Sequence, residues 1–222
     1  MREIDRLTTR DYQITSLSLM QAAAEACFQA IANSFAGDLA GKKALLLCGP
    51  GNNGGDGAAL ALKLQRAGVN TDVVLFGHVD QTKGDARANF EIAREQAQIN
   101  VASSAVFNLT EGALSFVECD NAEPLGNLTL ISQACDLVVD ALFGTGLKRP
   151  LEGILLQVVE HLRAIRAARE RLETARPMIL SIDVPSGLNA DSAQPIGDVQ
   201  AKKEHQHHWP PAPAVTQLAG RQ

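Results

Sequence analysis

The segment Gly49-Pro50-Gly51-Asn52-Asn53-Gly54-Gly55-Asp56-Gly57 follows the short apolar run Lys43–Cys48 and precedes an apolar segment at residues 58–67. This order predicts a buried strand, a tight glycine-rich loop and a helix. Such a loop brings backbone N–H groups and a helix N-terminus to the C-terminal end of a strand, where α/β proteins bind ligands. The segment therefore predicts an α/β fold with a ligand site at this strand end.

Composition and charge narrow the class of protein. The 222-residue chain is 45% hydrophobic, enough to bury a core, and its formal net charge of -5 disfavours nucleic acid and anionic membrane surfaces as partners. It has no apolar run of membrane-spanning length, no signal-peptide pattern in residues 1–20, and four scattered cysteines without metal or redox spacing. We expect a cytoplasmic protein with reduced thiols, bound to neither membrane nor nucleic acid.

Strands and helices alternate along most of the chain. Helices are predicted at residues 2–10, 17–35, 58–67, 84–99, 127–134 and 153–175, and strands at 43–48, 71–76, 101–106, 137–143 and 178–182. The alternation predicts a three-layer, doubly wound, Rossmann-like α/β sandwich with a mainly parallel sheet, preceded by two N-terminal helices. We assign residues 1–200 to this domain. Residues 201–222, rich in proline and histidine, are expected to form a disordered tail rather than a metal cluster.

The glycine-rich loop contains one G-x-G-x-x-G pattern, which alone is a weak sign of dinucleotide binding. Two features argue against an ordinary NAD-dependent dehydrogenase. Asp56 at the presumed helix start would repel a pyrophosphate, and the second strand ends in Phe76-Gly77-His78, without an acidic residue for the ribose hydroxyls. Asp56 also suits a helix cap. The unbroken polar run from Asn52 to Asp56 exceeds what a turn requires.

The second polar loop follows the predicted strand at 137–143. Asp140 within that apolar strand is costly to bury unless it binds a cation or accepts hydrogen bonds from a neighbouring loop, and both interpretations stay open. The glycines around Thr145 offer backbone amides to an anion, and Lys148 and Arg149 add positive charge. This loop is therefore a candidate phosphate contact.

The third polar loop follows the predicted strand at 178–182. Asp183 is either a turn-forming residue before Pro185 or a functional carboxylate, and the sequence favours neither. Ser186 lacks the G-x-S-x-G pattern of a nucleophile elbow, and no histidine follows it before the tail, which argues against a hydrolase triad.

Parallel strands would bring these three loops to one edge of the sheet. There Asn53, Asp140 and Ser186 form an all-oxygen set, which suits a hard cation better than zinc or copper. Because the set has few carboxylates, potassium is the favoured ion. Asp183 is then free to act as a general acid or base.

Three motifs, GPGNNGGDG, VDALFGTGL and SIDVPSGLNADSAQPIG, resemble the YjeF N-terminal domain family, the NAD(P)H-hydrate epimerases, over roughly residues 2–199. The resemblance implies a Rossmann-like homodimer that interconverts the R and S forms of hydrated NADH and NADPH (NADHX and NADPHX). Such an epimerase serves nicotinamide-cofactor repair together with a separate or fused NAD(P)HX dehydratase.

The resemblance also implies roles for individual residues. Asn53, Asp140 and Ser186 would hold one potassium ion per subunit, and Asp183 is assigned the acid–base role. The residues implied to contact the substrate are Asn52, Asn53, Gly54, Gly55, Asp56, Gly144, Thr145, Gly146, Leu147, Lys148, Arg149, Pro150 and Asp183.

Two departures from the family pattern favour an alternative. Residues 19–24 read LMQAAA where the family has a segment like LMENAG, and the tail after Val199 stands where the family continues with further strands. The tail resembles a truncated or out-of-frame end, and we expect reduced stability. The alternative function is a non-catalytic nucleotide-binding or protein-interaction scaffold of the same fold, while the retained polar residues of the three loops favour the enzyme.

Overall fold

The computed structural model describes residues 14–107, 112–120, 125–147, 149–172, 177–189 and 196. In chain order the elements are α1 (Ser16–Ser34), β1 (Lys43–Cys48), α2 (Asn52–Arg66), β2 (Asn70–Phe76), α3 (Gly84–Phe107), β3 (Leu114–Cys119), α4 (Leu125–Ala134), β4 (Leu137–Ala141), α5 (Gly153–Leu172) and β5 (Met178–Ser181), with a short 3-10 turn at Val79–Gln81. The predicted helix at 2–10 and the predicted tail at 201–222 lie outside the described residues.

The five strands form one sheet in the order β3-β2-β1-β4-β5. Every strand pair is parallel, and β1 lies at the centre, with Leu47 opposite Val74 of β2 on one side and opposite Asp140 of β4 on the other. Because the chain leaves β1 toward β2 and later returns to its other side at β4, the sheet has a topological switch point between β1 and β4. The predicted doubly wound α/β fold is confirmed.

Helices cover both faces of the sheet, giving three layers. Alternate residues of a strand point to opposite faces, so Leu46 belongs to the core under α1, α2 and α3, and Leu47 to the core under α4 and α5. Burial on both faces explains why β1 and β4 read as continuous apolar runs rather than alternating ones. None of the helices in the described part of the chain is long and apolar enough to cross a membrane.

Glycines allow helix α2 to begin in close contact with the central strands. A Cβ at Gly49 would collide with the Leu142 carbonyl, and one at Gly54 with the Gly49 carbonyl. A Cβ at Gly57 would lie 2.7 Å from Cβ of Ala141. These positions require glycine for space, so the glycine-rich segment packs the start of α2 against β1 and β4.

The predicted end of the glycine-rich loop and the predicted start of the helix after it are both wrong. Helix α2 begins at Asn52 rather than at residue 58, with Gly51 as its N-cap. Asp56 therefore lies inside the helix and does not cap it. The loop proper is only Gly49-Pro50-Gly51, because the close packing of Gly54 and Gly57 lets two glycine-rich turns be helical despite the poor helix propensity of glycine.

The predicted third strand at residues 101–106 is also wrong. Helix α3 continues through these residues to Phe107, and the third strand is Leu114–Cys119, in a region where the sequence shows little pattern. No glycine or proline stands between residues 85 and 107 to stop the helix. β3 is an edge strand with Ser115 and Val117 exposed, so its apolar signal is weak.

The revised position of β3 can be tested through side-chain burial. Leu114 is 2% exposed and Val117, on the same strand, is 48% exposed. Leu114→Ala should lower the free energy of unfolding by about 2–5 kcal/mol, because it removes a buried leucine from the core. Val117→Ala is the matched control and should have a much smaller effect. Equal losses for the two variants in urea melts would contradict this placement of the strand.

Candidate functional site

The carboxylate of Asp140 is the buried centre of the polar loops. The residue is 1% exposed at the C-terminal end of β4. Its Oδ1 accepts the Ser186 hydroxyl at 2.5 Å, and its Oδ2 accepts the Ser186 backbone N–H at 2.9 Å and the Ser181 hydroxyl at 3.1 Å. These bonds compensate for the loss of water around a buried carboxylate. The hydrogen-bonding interpretation of Asp140 is therefore confirmed.

Ser186 connects the loop after β5 to the loop after β4. Its Oγ accepts the Phe143 backbone N–H at 3.0 Å, while its hydroxyl donates to Asp140. Ser186 is buried, as expected for a group that ties two loops together. It acts here as a hydroxyl that links the two loops.

Arg166 of helix α5 completes the network and is the residue that sequence reasoning missed. Its Nη2 donates to Ser181 Oγ at 2.6 Å and lies 3.9 Å from Asp140 Oδ2. Burial lowers the pKa of the guanidinium, and the charge of Asp140 opposes that shift. One signal could have found it: Arg166 follows Val159 by seven residues and Leu162 by four, so helical spacing places it on the buried stripe of α5.

Asp183 is exposed and fixed against the loop after β4. Its Oδ2 accepts the Thr145 backbone N–H at 2.7 Å, and a Cβ at Gly144 would collide with the same carboxylate. Asp183 has a φ of 66°, a left-handed conformation that is strained for a residue with a side chain. Strain of this kind persists where the surroundings hold it in place, and it concentrates at functional sites.

Asn53 lies in the first turn of α2 and has an unsatisfied donor. Its Nδ2 is buried without a hydrogen-bond partner among the described residues. A buried amide donor without a partner is costly, so this atom is a candidate contact for a ligand. Because amide oxygen and nitrogen have nearly the same shape, a half-turn of the side chain would present Oδ1 at that position.

The residues implied to hold potassium fit the ion in donor type. Asn53, Asp140 and Ser186 offer amide, carboxylate and hydroxyl oxygens, the ligands that hard cations prefer. Asp140 and Ser186 are in direct contact, and Asn53 has the unpartnered buried amide. Among the described residues no group of three or more histidine, cysteine or acidic side chains could hold a metal ion, so a site for zinc or another transition metal is not indicated there.

The predicted substrate-contact residues divide into exposed and buried groups. Asn52, Thr145, Gly146, Arg149, Pro150 and Asp183 are exposed, Leu147 is half-buried, and Lys148 lies outside the described residues. Gly54 and Gly55 are buried, and a Cβ at Gly55 would lie 2.6 Å from the Ala86 backbone. For these two glycines the structure gives a packing role, and their contact with a substrate stays a prediction.

Asp56 lies beside helix α1. Its charge adds to burial in raising the pKa of the Cys27 thiol to about 11. On the same helix Met20 approaches Gly55, and the Gln21 amide donates to Asn89 Oδ1 at 3.2 Å. Helix α1 therefore packs against the start of α2 and against α3. Its residues 19–24 include the contacts with the glycine-rich segment and with α3.

A second charged cluster lies where β2 and β3 end. His78 Nδ1 lies 3.1 Å from Glu118 Oε2, and its Nε2 lies 3.3 Å from Asp120 Oδ2. Glu118 also accepts the Val79 backbone N–H at 3.0 Å, which is the main cause of its lowered pKa. Hydrogen bonds to Glu118 and then Asp120 raise the pKa of His78. The segment that follows β2 carries no acidic residue before His78, and the neighbouring strand β3 brings the carboxylate of Glu118 to the same place.

Comparison with known proteins identifies the family. Residues 16–204 match the family described as YjeF-related protein N-terminus. The chain belongs to this family. The crystal structure of a yeast protein has a TM-score of 0.66 at 25% identity, over 89% of this chain and 72% of its own.

Curated relatives carry names from cofactor repair. The NAD(P)H-hydrate epimerase of Rhodobacter capsulatus is 36% identical over 196 residues, covering 86% of this chain and 76% of the relative. The bifunctional NAD(P)H-hydrate repair enzyme of Moorella thermoacetica is 32% identical over 197 residues, covering 89% of this chain and 32% of the relative. The chain thus spans about a third of that bifunctional protein.

The His78 cluster makes a prediction about pH. Pairing stabilises the protonated imidazole, so its contribution to stability is complete below the unfolded-state pKa of about 6.5 and is lost as pH rises through the raised folded-state pKa. Glu118→Gln should move the pKa of His78 down toward its ordinary value in an NMR titration. His161, whose pKa is lowered by burial, is the internal control and should titrate unchanged. An unchanged His78 would contradict the assigned pairing.

Proposed function

We propose that this chain is an NAD(P)H-hydrate epimerase, an isomerase that interconverts the R and S forms of hydrated NADH and NADPH. The observation that carries the proposal is the Asp183 carboxylate, exposed at the C-terminal edge of the sheet and held there by the Thr145 N–H at 2.7 Å. Family membership and relatives named as epimerases support it.

Inverting the carbon that carries the hydroxyl requires one of its bonds to break and to form again on the other face, with a proton leaving and returning. In this proposal Asp183 accepts and returns that proton; its exposure and its hydrogen bond from the Thr145 N–H support the assignment. The left-handed backbone at Asp183 keeps the carboxylate in one orientation before substrate arrives.

The remaining groups at this edge suit a charged dinucleotide. The first turn of α2, with exposed Asn52, presents backbone N–H groups, and Arg149 adds positive charge for a pyrophosphate. Asn53, Asp140 and Ser186 would hold one potassium ion per subunit, whose positive charge would stabilise developing negative charge on the substrate.

The biological setting is part of the same proposal. We expect a cytoplasmic homodimer that passes NADHX and NADPHX to a dehydratase, encoded separately or fused, as the family resemblance implies. The bifunctional repair enzyme among the relatives supports a link between the two repair activities.

The test is the rate of R/S interconversion of NADHX in potassium buffer, followed by NMR or chromatography and corrected for spontaneous epimerisation. Wild type should accelerate it, and Asp183→Ala should lower that acceleration by about 10²–10⁴-fold through loss of the acid–base group. Asp38→Ala is the matched control, an exposed aspartate in the segment leading into β1, and should keep wild-type activity. No acceleration by wild type would favour the non-catalytic scaffold, and an unchanged Asp183→Ala would refute only the role of Asp183.

A second variant tests the placement of the carboxylate without removing it. Gly144→Ala should push the Asp183 side chain from its position, because the new Cβ would occupy the space of that carboxylate. The epimerisation rate should fall about 10²-fold, since small displacements of a catalytic group have effects of that size. The melting temperature should change little, because the collision is with an exposed side chain. Wild-type activity in this variant would contradict the geometry.

A further inference from the structure

We propose that Arg166 is the permanent counter-ion of Asp140, a positioning residue that makes the buried carboxylate independent of a bound cation for its stability. The proposal rests on the proposed function in one respect, the assignment of Asp140 as a cation ligand. It adds a residue that the family resemblance does not assign. Its consequence is that removal of the guanidinium makes the stability of the fold depend more strongly on potassium.

The first support is the charge balance around Asp140. Asp140 is 1% exposed, and burying a carboxylate is costly where only neutral hydrogen bonds compensate for the lost water. The guanidinium of Arg166 lies 3.9 Å from Asp140 Oδ2, and the Arg166 side chain is itself only 21% exposed. A close cation in a weakly solvated place is the strongest available compensation for the buried negative charge.

The second support is the hydrogen-bonded connection between the two charges. Arg166 donates to Ser181 Oγ at 2.6 Å, and the Ser181 hydroxyl donates onward to Asp140 at 3.1 Å. The serine therefore accepts from the cation and donates to the anion, so each bond polarises and strengthens the other. This chain fixes Oδ2 of Asp140 while Ser186 holds Oδ1.

The third support is the direction from which Arg166 approaches. On β4, Val138 packs in the core under α4 and α5, and alternation along the strand places Asp140 on that same face. Arg166 comes from α5 on this face, whereas Asn53 belongs to α2, which packs on the other face. Arg166 therefore approaches the end of β4 from one face of the sheet, and helix α2 from the other. The guanidinium of Arg166 does not take the position of Asn53.

The experiment measures melting temperature across a KCl series at constant ionic strength, with tetramethylammonium chloride as the balancing salt. The melting temperature of wild type should rise only slightly with potassium, because an ion bound to the folded state stabilises it but Arg166 already balances the charge of Asp140. Arg166→Met should melt lower without potassium and rise by about 4 °C or more as potassium is added, because cation binding then supplies the missing charge. A parallel NaCl series shows whether the dependence is specific for potassium.

Two further variants make the result specific to this charge pair. Arg171→Met removes an exposed arginine from the last turn of the same helix and should keep the slight wild-type response. The double variant Arg166→Met with Asp140→Asn removes both charges, one of them a proposed ion ligand, and its melting temperature should not rise with potassium. If Arg166→Met is too unstable to melt without potassium, Arg166→Lys, which keeps the charge but not the planar fork, takes its place, and its melting temperature should rise more steeply with potassium than that of wild type.

Two results would overturn the proposal: a flat response of Arg166→Met, or a wild-type melting temperature that rises with potassium as steeply as that of the variant. The measurement uses no nicotinamide substrate. Failure of the epimerase assay would therefore leave it valid, and failure of the counter-ion proposal would leave the role of Asp183 untouched.

Discussion

The buried carboxylate of Asp140 is the constraint on which the functional edge of this protein depends. A buried carboxylate must be matched by donors or by an opposite charge; here the donors come from the end of β5 and the loop after it, and the opposite charge comes from helix α5. Satisfying one aspartate therefore fixes three separate parts of the chain. The same bonds bring Ser186 against Phe143 and so hold the loops after β4 and β5 together.

The contact between those loops explains why Asp183 is well placed although it is exposed. A solvent-facing carboxylate is normally free to rotate, but this one is held by the Thr145 amide and sits where Gly144 has no side chain. The order of cause runs outward: the buried network fixes the two loops, the loops fix the backbone, and the backbone fixes the Asp183 carboxylate. Preorganisation at an exposed position is thus achieved from the interior outward.

The sequence was sufficient for the central sheet, because strands buried on both faces show unbroken apolar runs and the glycine-rich segment marks the switch point. The sequence did not predict β3, because this edge strand has exposed residues and so little apolar pattern. It also did not predict the start of α2, because tertiary packing there overrides the low helix propensity of glycine. Asp140 and Ser186 stood out in the sequence as polar residues beside two strands, and the structure joins them by a hydrogen bond. Arg166 was missed because its role depends on contact with Ser181, across the sheet edge, and not on any local motif.

The two sides of the site differ in how well their polar groups are satisfied, and that difference separates structure from recognition. Around Asp140 every carboxylate oxygen has donors within the protein, so this side is stable as it stands. On helix α2 the Asn53 amide is buried with an unpartnered nitrogen among the described residues. An unmet buried donor costs free energy that a ligand can recover on binding. Asn53 and Asp140 therefore differ in kind: the Asn53 amide nitrogen still lacks a partner, whereas the groups bonded to Asp140 hold the loops after β4 and β5 together.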